Sequence, residues 1–365
     1  MLNMLKLFGF LATIAVVTSN SIESHRDSSV IQRFENWVDE HKIQSNDDHH
    51  LAHIFDNWLD NDKFIEQTNS RNLTYTLGHN TFSGMNSNEF SEFMGFRDNS
   101  ELLSKGTEFL RGTVPAVEQS KVLDLSSLPT SIDWRQKGVV NEIKNQGQCG
   151  SCWAFSGTST VESAVAIKTG NLYDLSEQQV VSCAGLKYGN LGCNGGMYDG
   201  MWNREKENNG QCSESSYPYT SGTTKQTGSC QKTCSPISET IVSSYVTVTP
   251  SSESSMMTGL SVEPVSIAIE ADTQSFQLYS GGIYNDFTGC NQNSAKDVNS
   301  LPNIDHAVVL VGYGSDNGQD YYILRNSWGT SWGGSEKGYM KIGRGSQYGP
   351  YGMCGLLYDP MYPVV

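Results

Sequence analysis

The chain has 365 residues, room for one large domain or two modest ones, and 37% of them are hydrophobic, enough for a packed core. Its 39 acidic against 24 basic residues give a formal net charge of -15, which argues against nucleic acid or an anionic membrane as the main partner.

Residues 1–19 read as a secretory signal. Lys6 supplies a short basic start, and Leu7 to Val17 is an apolar run too short to span a bilayer comfortably. In an exported chain the nine cysteines imply four disulfides and one thiol left over, and an odd thiol asks for a use. Residues 20–127 hold no cysteine but six of the seven histidines, so the chain divides by composition. Within them Phe34, Trp37, Ile54, Phe55, Trp58 and Ile65 recur mostly three or four apart, predicting amphipathic helices. Residues 99–127 lose that period and read as an extended polar connector. The boundary falls near Leu128-Pro129, where cysteines begin and glycine becomes common. Ser151 to Lys168 predicts a buried helix, capped by the Ser151 side chain and ended by Gly170 in a left-handed turn. After about position 240 the runs Ile241 to Val248, Val265 to Ile269, Ala307 to Val311, Tyr321 to Leu324 and Tyr339 to Ile342 predict strands. A helical half therefore precedes a sheet-rich half, and a cleft between two such halves is a favoured place for a site.

The chemistry concentrates in Gln146-Gly-Gln-Cys149-Gly-Ser-Cys152-Trp153-Ala-Phe155. A thiol attacks well only as thiolate, and the N-terminus of a helix stabilises that anion through its dipole and unpaired N–H groups. Cys152 is placed for this. His306 is the sole histidine after residue 128, so it is the one imidazole available as a base there, and it heads the apolar run Ala307-Val-Val-Leu-Val311. Asn326 opens Asn326-Ser-Trp328, where a side-chain amide can accept from the imidazole and Trp328 can shield the bond. Gln146 and the Cys152 backbone N–H are candidates for stabilising an oxyanion. Cys149-x-x-Cys152 alone would also suit a redox pair or half a zinc site, but no second such pair or histidine pair supplies the remaining ligands. Neither a metal nor a cofactor is expected.

Cys149-Gly-Ser-Cys152-Trp153 with a distant histidine and asparagine resembles the papain-like cysteine proteases, in particular the cathepsin L-like branch. Leu128-Pro-Thr-Ser-Ile-Asp-Trp134-Arg, Gly192-Cys193-Asn194-Gly195-Gly196, Ser216-Tyr-Pro-Tyr219, Phe276-Gln-Leu-Tyr279 and Val311-Gly-Tyr-Gly314 resemble further motifs of that family, in its order. The resemblance implies an α+β, papain-like two-lobed fold: a helical lobe, an antiparallel β-barrel-like lobe, the active-site cleft between them, and an α-helical prodomain in front. It implies a signal peptide at 1–19, an inhibitory propeptide at 20–127 and a mature peptidase at 128–365. Cys152 would be the nucleophile of an endopeptidase and His306 the base, then acid. Asn326 would orient the histidine, and Gln146 would complete the oxyanion hole. Disulfides Cys149–Cys193 and Cys290–Cys354 are implied, with Cys183 joined to Cys230 or Cys234 and Cys212 to the other. Gly195 and Gly196 would pair with an extended substrate. Met197, Tyr198, Ala268, Ile304 and Ala307 would line the second pocket, with Asp359 at its floor, and Asp305 and Trp328 would complete the substrate-binding set. An acidic floor implies tolerance of arginine beside Leu, Phe or Val.

The first part resembles the family's inhibitory prosegment. Trp58-x-x-Asn61-x-x-x-Ile65-x-x-x-Asn69 keeps half of its helical signature, but His50 and Ile54 stand where glutamate and arginine are usual. Gly78-x-Asn80-x-Phe82 keeps another motif, with Ser83 taken as the residue replacing its aspartate. His49, His50 and His53, within one helical turn, are the candidate acid trigger in place of those charges. The stretch between Cys290 and Asp305 reads as an inserted loop. Asn72-Leu-Thr74 is a glycosylation sequon. The expected partners are protein or peptide substrates, the chain's own propeptide as intramolecular inhibitor, and cystatin-type inhibitors. The expected state is a monomer without nucleic acid or lasting membrane insertion, in a lysosome or vacuole or outside the cell. The competing reading is a catalytically silent papain-fold protein with a binding or structural role. Such relatives replace the nucleophile, whereas Cys152, His306, Asn326 and Gln146 are all present here.

Overall fold

The structure, a computed structural model, describes residues 28–94, 116–118, 122–286, 289–290 and 302–365. The signal-like segment and residues 291–301 of the inserted loop lie outside the described residues.

Two helices open the chain. Helix α1 (Ser28–His41) buries Phe34 and Trp37, and α2 (Asp48–Asn69) buries Ile54, Phe55, Trp58 and Ile65. The six residues of the predicted apolar pattern thus all point inward. Asp47 caps α2 by accepting the His50 N–H at 2.8 Å, satisfying one of the unpaired donors of its first turn. The rings of Phe34 and Phe55 meet edge to face at 4.9 Å, and Phe34 and Trp58 at 5.5 Å, so an aromatic cluster joins the two helices. The chain then forms β1 (Tyr75–Leu77) and α3 (Ser87–Met94). The buried Ser83 hydroxyl accepts the Asn80 N–H at 3.0 Å, and Gly84 abuts Ile54, where a Cβ would lie 2.8 Å from Ile54 Cγ2.

In the following part, α4 (Cys152–Thr169) is buried on every side from Cys152 to Ala166, the mark of a central core helix. Gly170 ends it at φ 82°, as expected. Helices α5 (Glu177–Cys183) and α6 (Tyr198–Glu207) pack around it. The sheet-rich half holds β4 (Ser244–Thr247), α7 (Glu253–Val262), β5 (Val265–Ile269), β6 (Tyr279–Tyr284), β7 (His306–Asp316), β8 (Gln319–Arg325), β9 (Tyr339–Gly343) and β10 (Met361–Val364). Two short strands, β2 (Ala116–Glu118) and β3 (Ile132–Asp133), come from earlier in the chain. The strand order is β1-β6-β9-β8-β7-β5-β10-β4-β2, with β3 on β7. Most pairings are antiparallel as expected, but β6–β9 and β2–β4 are parallel. Both edge strands of this sheet, β1 and β2, belong to the part before Leu128.

Four disulfides join Cys149 to Cys193, Cys183 to Cys230, Cys212 to Cys234 and Cys290 to Cys354, resolving the pairing left open by the sequence. Cys152 carries the one thiol outside them.

Candidate active site

The loop before α4 is held on both sides. Gln146 N–H donates to Ser327 O and Gln148 N–H to Gly222 O, each at 2.8 Å. Gly147 has φ 57° and lies against Gly222, where a Cβ would come within 2.6 Å of the Gly222 carbonyl; glycine is therefore needed at 147 for both reasons. The Cys149–Cys193 disulfide and the Gly150 N–H to Cys193 O bond of 2.9 Å tie the loop to the glycine-rich segment.

Cys152 begins α4 and is 8% exposed. Burial pushes its thiol up to about 11, against the pull of the backbone N–H groups of Ala307, Trp153 and Cys152 itself. The sulfur is thus bracketed by the first turn of α4 and by the residue that follows His306. Ser151 was expected to cap this helix. It stands at the cap position but makes no side-chain capping bond; its hydroxyl meets that of Tyr219 at 2.8 Å instead.

His306 opens β7 opposite Ile269 of β5 and is 2% exposed. Its Nε2–H donates to Asn326 Oδ1 at 2.8 Å, and its ring stacks on Trp328 at 4.7 Å. Burial lowers the imidazole to about 4, with the Asn326 bond pulling the other way. Asn326 is fixed in turn, since the same oxygen accepts the Ser327 N–H at 2.8 Å. The Ser327 hydroxyl donates to Gln146 Oε1 at 2.7 Å, and Gln146 Nε2 donates to Cys149 O at 3.0 Å. Thus Ser327, to which sequence reasoning gave no role, links the histidine-orienting amide to the oxyanion candidate.

Around these groups Gly196 has no room for a side chain, because a Cβ would lie 2.8 Å from the Trp153 indole and 2.4 Å from Asn190 Oδ1. Gly195 sits at φ 103°, a conformation that favours glycine. Met197 N–H is held by Asn190 Oδ1 at 2.7 Å. Ala268 and Ala307 face each other directly across β5 and β7, and Ile304 lies against Gly355. Tyr198 is fully buried, its hydroxyl donating to the Asp359 carbonyl, so it braces the chain at Asp359 from behind. Asp305 accepts the N–H groups of Ala271 at 2.7 Å and Asp272 at 3.2 Å, and burial holds its carboxyl well above the usual range.

The first part of the chain docks on this region. Asn80 Nδ2 donates to Gln277 O at 2.8 Å, and Gln277 Nε2 donates to Phe82 O at 2.8 Å. Phe82 and Phe90 meet Trp328 edge to face at 5.6 and 5.3 Å, sealing the indole that covers His306. β1 pairs with β6. Asn72 is exposed, whereas the Thr74 hydroxyl of the sequon donates to Ile283 O at 2.7 Å.

Comparison with known proteins agrees with this arrangement. Residues 128–364 match the papain family cysteine protease model, and residues 34–90 match the cathepsin propeptide inhibitor domain (I29). The chain is 39% identical to digestive cysteine proteinase 1 of Homarus americanus over 308 residues, covering 83% of this chain and 85% of that protein. It superposes on a recombinant stem bromelain precursor with a TM-score of 0.76 at 34% identity, covering 93% of this chain and 99% of the other. For digestive procathepsin L 3 of Tenebrio molitor larval midgut the TM-score is 0.75 at 32% identity, with 93% and 100% covered. The chain belongs to the papain family of cysteine proteases and carries an I29 propeptide domain at its N-terminal side.

Proposed function

We propose that this protease is an endopeptidase zymogen in which Cys152 is the nucleophile and His306 its acid–base partner. The observation that carries the reading is the fixed chain Asn326–His306 under Trp328, with the Cys152 sulfur between the start of α4 and the Ala307 N–H. In the reaction the thiolate attacks the scissile carbonyl carbon, and the oxyanion draws on the Cys152 N–H and the Gln146 amide. Cys149 O takes only one of the two Gln146 amide hydrogens, leaving the second for the oxyanion. The imidazolium gives its proton to the departing amine as the C–N bond breaks, leaving a thioester. Water, deprotonated by His306, then attacks the thioester and releases the acid and the thiol.

The closed chain is read as silent for an electrostatic reason as well as a steric one. With the thiol raised and the imidazole lowered by burial, both are neutral near pH 7. Removal of the prosegment readmits water, and the thiolate–imidazolium pair becomes accessible. Residues 1–19 are read as a secretory signal, 20–127 as the propeptide and 128–365 as the mature enzyme, on a route to a lysosome, a vacuole or the exterior.

An epoxide-type thiol inactivator applied before and after acidification, with intact mass and peptide mapping, tests this. Labelling of Cys152 only after loss of about the first 127 residues is the expected outcome. Labelling elsewhere, or none, overturns the reading.

A further inference from the structure

Ser151 presents an anomaly: a serine at the cap position of the catalytic helix that does not cap. Its hydroxyl lies 2.8 Å from the Tyr219 hydroxyl, which in turn lies 2.8 Å from the Gln146 carbonyl oxygen. A phenol has one hydrogen. Given to the Gln146 carbonyl, it leaves the phenol oxygen to accept the hydrogen of Ser151. Ser151 Oγ also lies 3.4 Å from Cys149 O, a longer contact than the one it makes with Tyr219.

Tyr219 is itself anchored on three sides. Its N–H donates to Glu214 Oε1 at 2.7 Å, and its ring meets Phe155 of α4 edge to face at 4.9 Å. Behind it Gly222 touches the Gln146 loop so closely that a Cβ there would lie 2.7 Å from the Gln146 carbonyl and 2.9 Å from Tyr219 Cε1. Burial keeps the phenol protonated through the ordinary pH range.

We infer that Tyr219 is a positioning residue for the oxyanion hole. Its hydroxyl locks the loop that carries the Gln146 amide to the start of the helix that carries Cys152. The inference rests on the roles proposed above for those two residues. Tyr219 touches no reacting atom, so the effect falls on the tetrahedral intermediate and spares the reactivity of the thiol.

The test is Tyr219→Phe in the full chain, acid-processed and assayed beside wild type. The expected result is a fall in kcat of about tenfold with KM within about twofold, as for losing two buried neutral hydrogen bonds that position a catalytic group. The rate of Cys152 alkylation by iodoacetamide, which passes through no oxyanion, is expected to stay within about twofold of wild type. An unchanged kcat overturns the inference, as does an alkylation rate that falls in step with kcat, since the tyrosine would then act on the thiol. Should Tyr219→Phe not fold, Ser151→Ala carries the test. It breaks one arm of the bridge, and a kcat loss of about threefold with unchanged alkylation is expected, no loss counting against the inference. Wild-type alkylation mapping to a residue other than Cys152 would overturn the active-site reading itself, whereas normal wild-type behaviour with a silent Tyr219→Phe would overturn this inference alone.

Discussion

His306 engages its partner through Nε2, in a site where the indole of Trp328 and the side chains of the prosegment exclude water. Asn326→Ala removes the acceptor and leaves that N–H unpaired in a buried place. A loss in kcat/KM of about 10–100-fold follows from the cost of an unsatisfied buried donor next to a group that must carry charge. A kcat/KM–pH profile of the processed variant checks this, and a profile that superimposes on wild type would refute the orienting role. Asp359 is half-buried, with its main chain held by the Tyr198 hydroxyl. A carboxylate in that setting is partly screened, so its effect on a bound arginine is modest. Asp359→Ala is expected to lower the ratio of Arg to Leu cleavage by up to about fivefold in paired dipeptide substrates. A ratio that does not move would take Asp359 out of the specificity account.

At the scale of elements, the joint between α1, α2 and the loop after β1 holds the titratable groups from which a response of the prosegment to acid is predicted. His53 Nε2 meets Glu89 Oε1 at 2.5 Å, and Glu89 also accepts from Asn57 at 2.7 Å and the Asn86 N–H at 3.0 Å, binding α3 to α2. Burial raises the Glu89 carboxyl, but its hydrogen bonds from His53, Asn86 and Asn57 outweigh this and hold it below the usual range. Its contribution is therefore present at mild acid and lost only as pH falls through that depressed value. His79 has the opposite sign. It is stacked on Trp58 at 4.5 Å, and its Nε2 donates to Asp62 Oδ1 at 3.0 Å. Its Nδ1 is buried without a partner among the described residues. Asp62 is already engaged by Arg33 at 2.6 Å, Arg33 also reaches Glu66 at 3.0 Å, and His41 lies nearby. Burial lowers the His79 imidazole, outweighing Asp62, with Arg33 and His41 adding to the fall. A histidine depressed in the docked state stabilises docking above its unfolded value near 6.5 and loses that contribution as pH drops toward the docked value. His79→Gln keeps a donor for Asp62 and cannot titrate. It is expected to move the autoactivation midpoint to lower pH; a His79→Gln profile identical to wild type would refute the assignment. Little of this joint was legible beforehand. Helices α1 and α2 announce themselves by local periodicity, and α4 by the glycine that ends it. The His79–Asp62–Arg33 cluster, the Tyr219 bridge and the β1–β6 pairing join residues far apart in the chain, and such contacts leave no periodic trace. That the structure brings Cys152, His306, Asn326 and Gln146 into one site was legible because a cysteine at a helix start and a lone histidine narrow the choice, and the family motif points to the rest.

The whole molecule is closed at both edges of its sheet by segments that lie before Leu128. β1 adds antiparallel to β6 at one end, and β2 adds in parallel to β4 at the other. The connector is fastened further where the Leu123 N–H donates to the Thr258 hydroxyl of α7 at 3.0 Å. A bare strand edge presents unpaired N–H and C=O groups and templates association with other chains. The prosegment covers two such edges, which predicts a task during folding that is separate from blocking the cleft. On this account residues 128–365, refolded alone, lose more material to aggregates than the full chain, and the deficit grows with protein concentration. Supplying residues 20–94 in trans covers only the β6 edge and restores part of the yield. Supplying residues 20–127 covers both edges and restores more. Light scattering together with recovered activity measures each arm. Equal rescue by the two fragments would show that the β4 edge needs no cover and that β2 contributes nothing to folding.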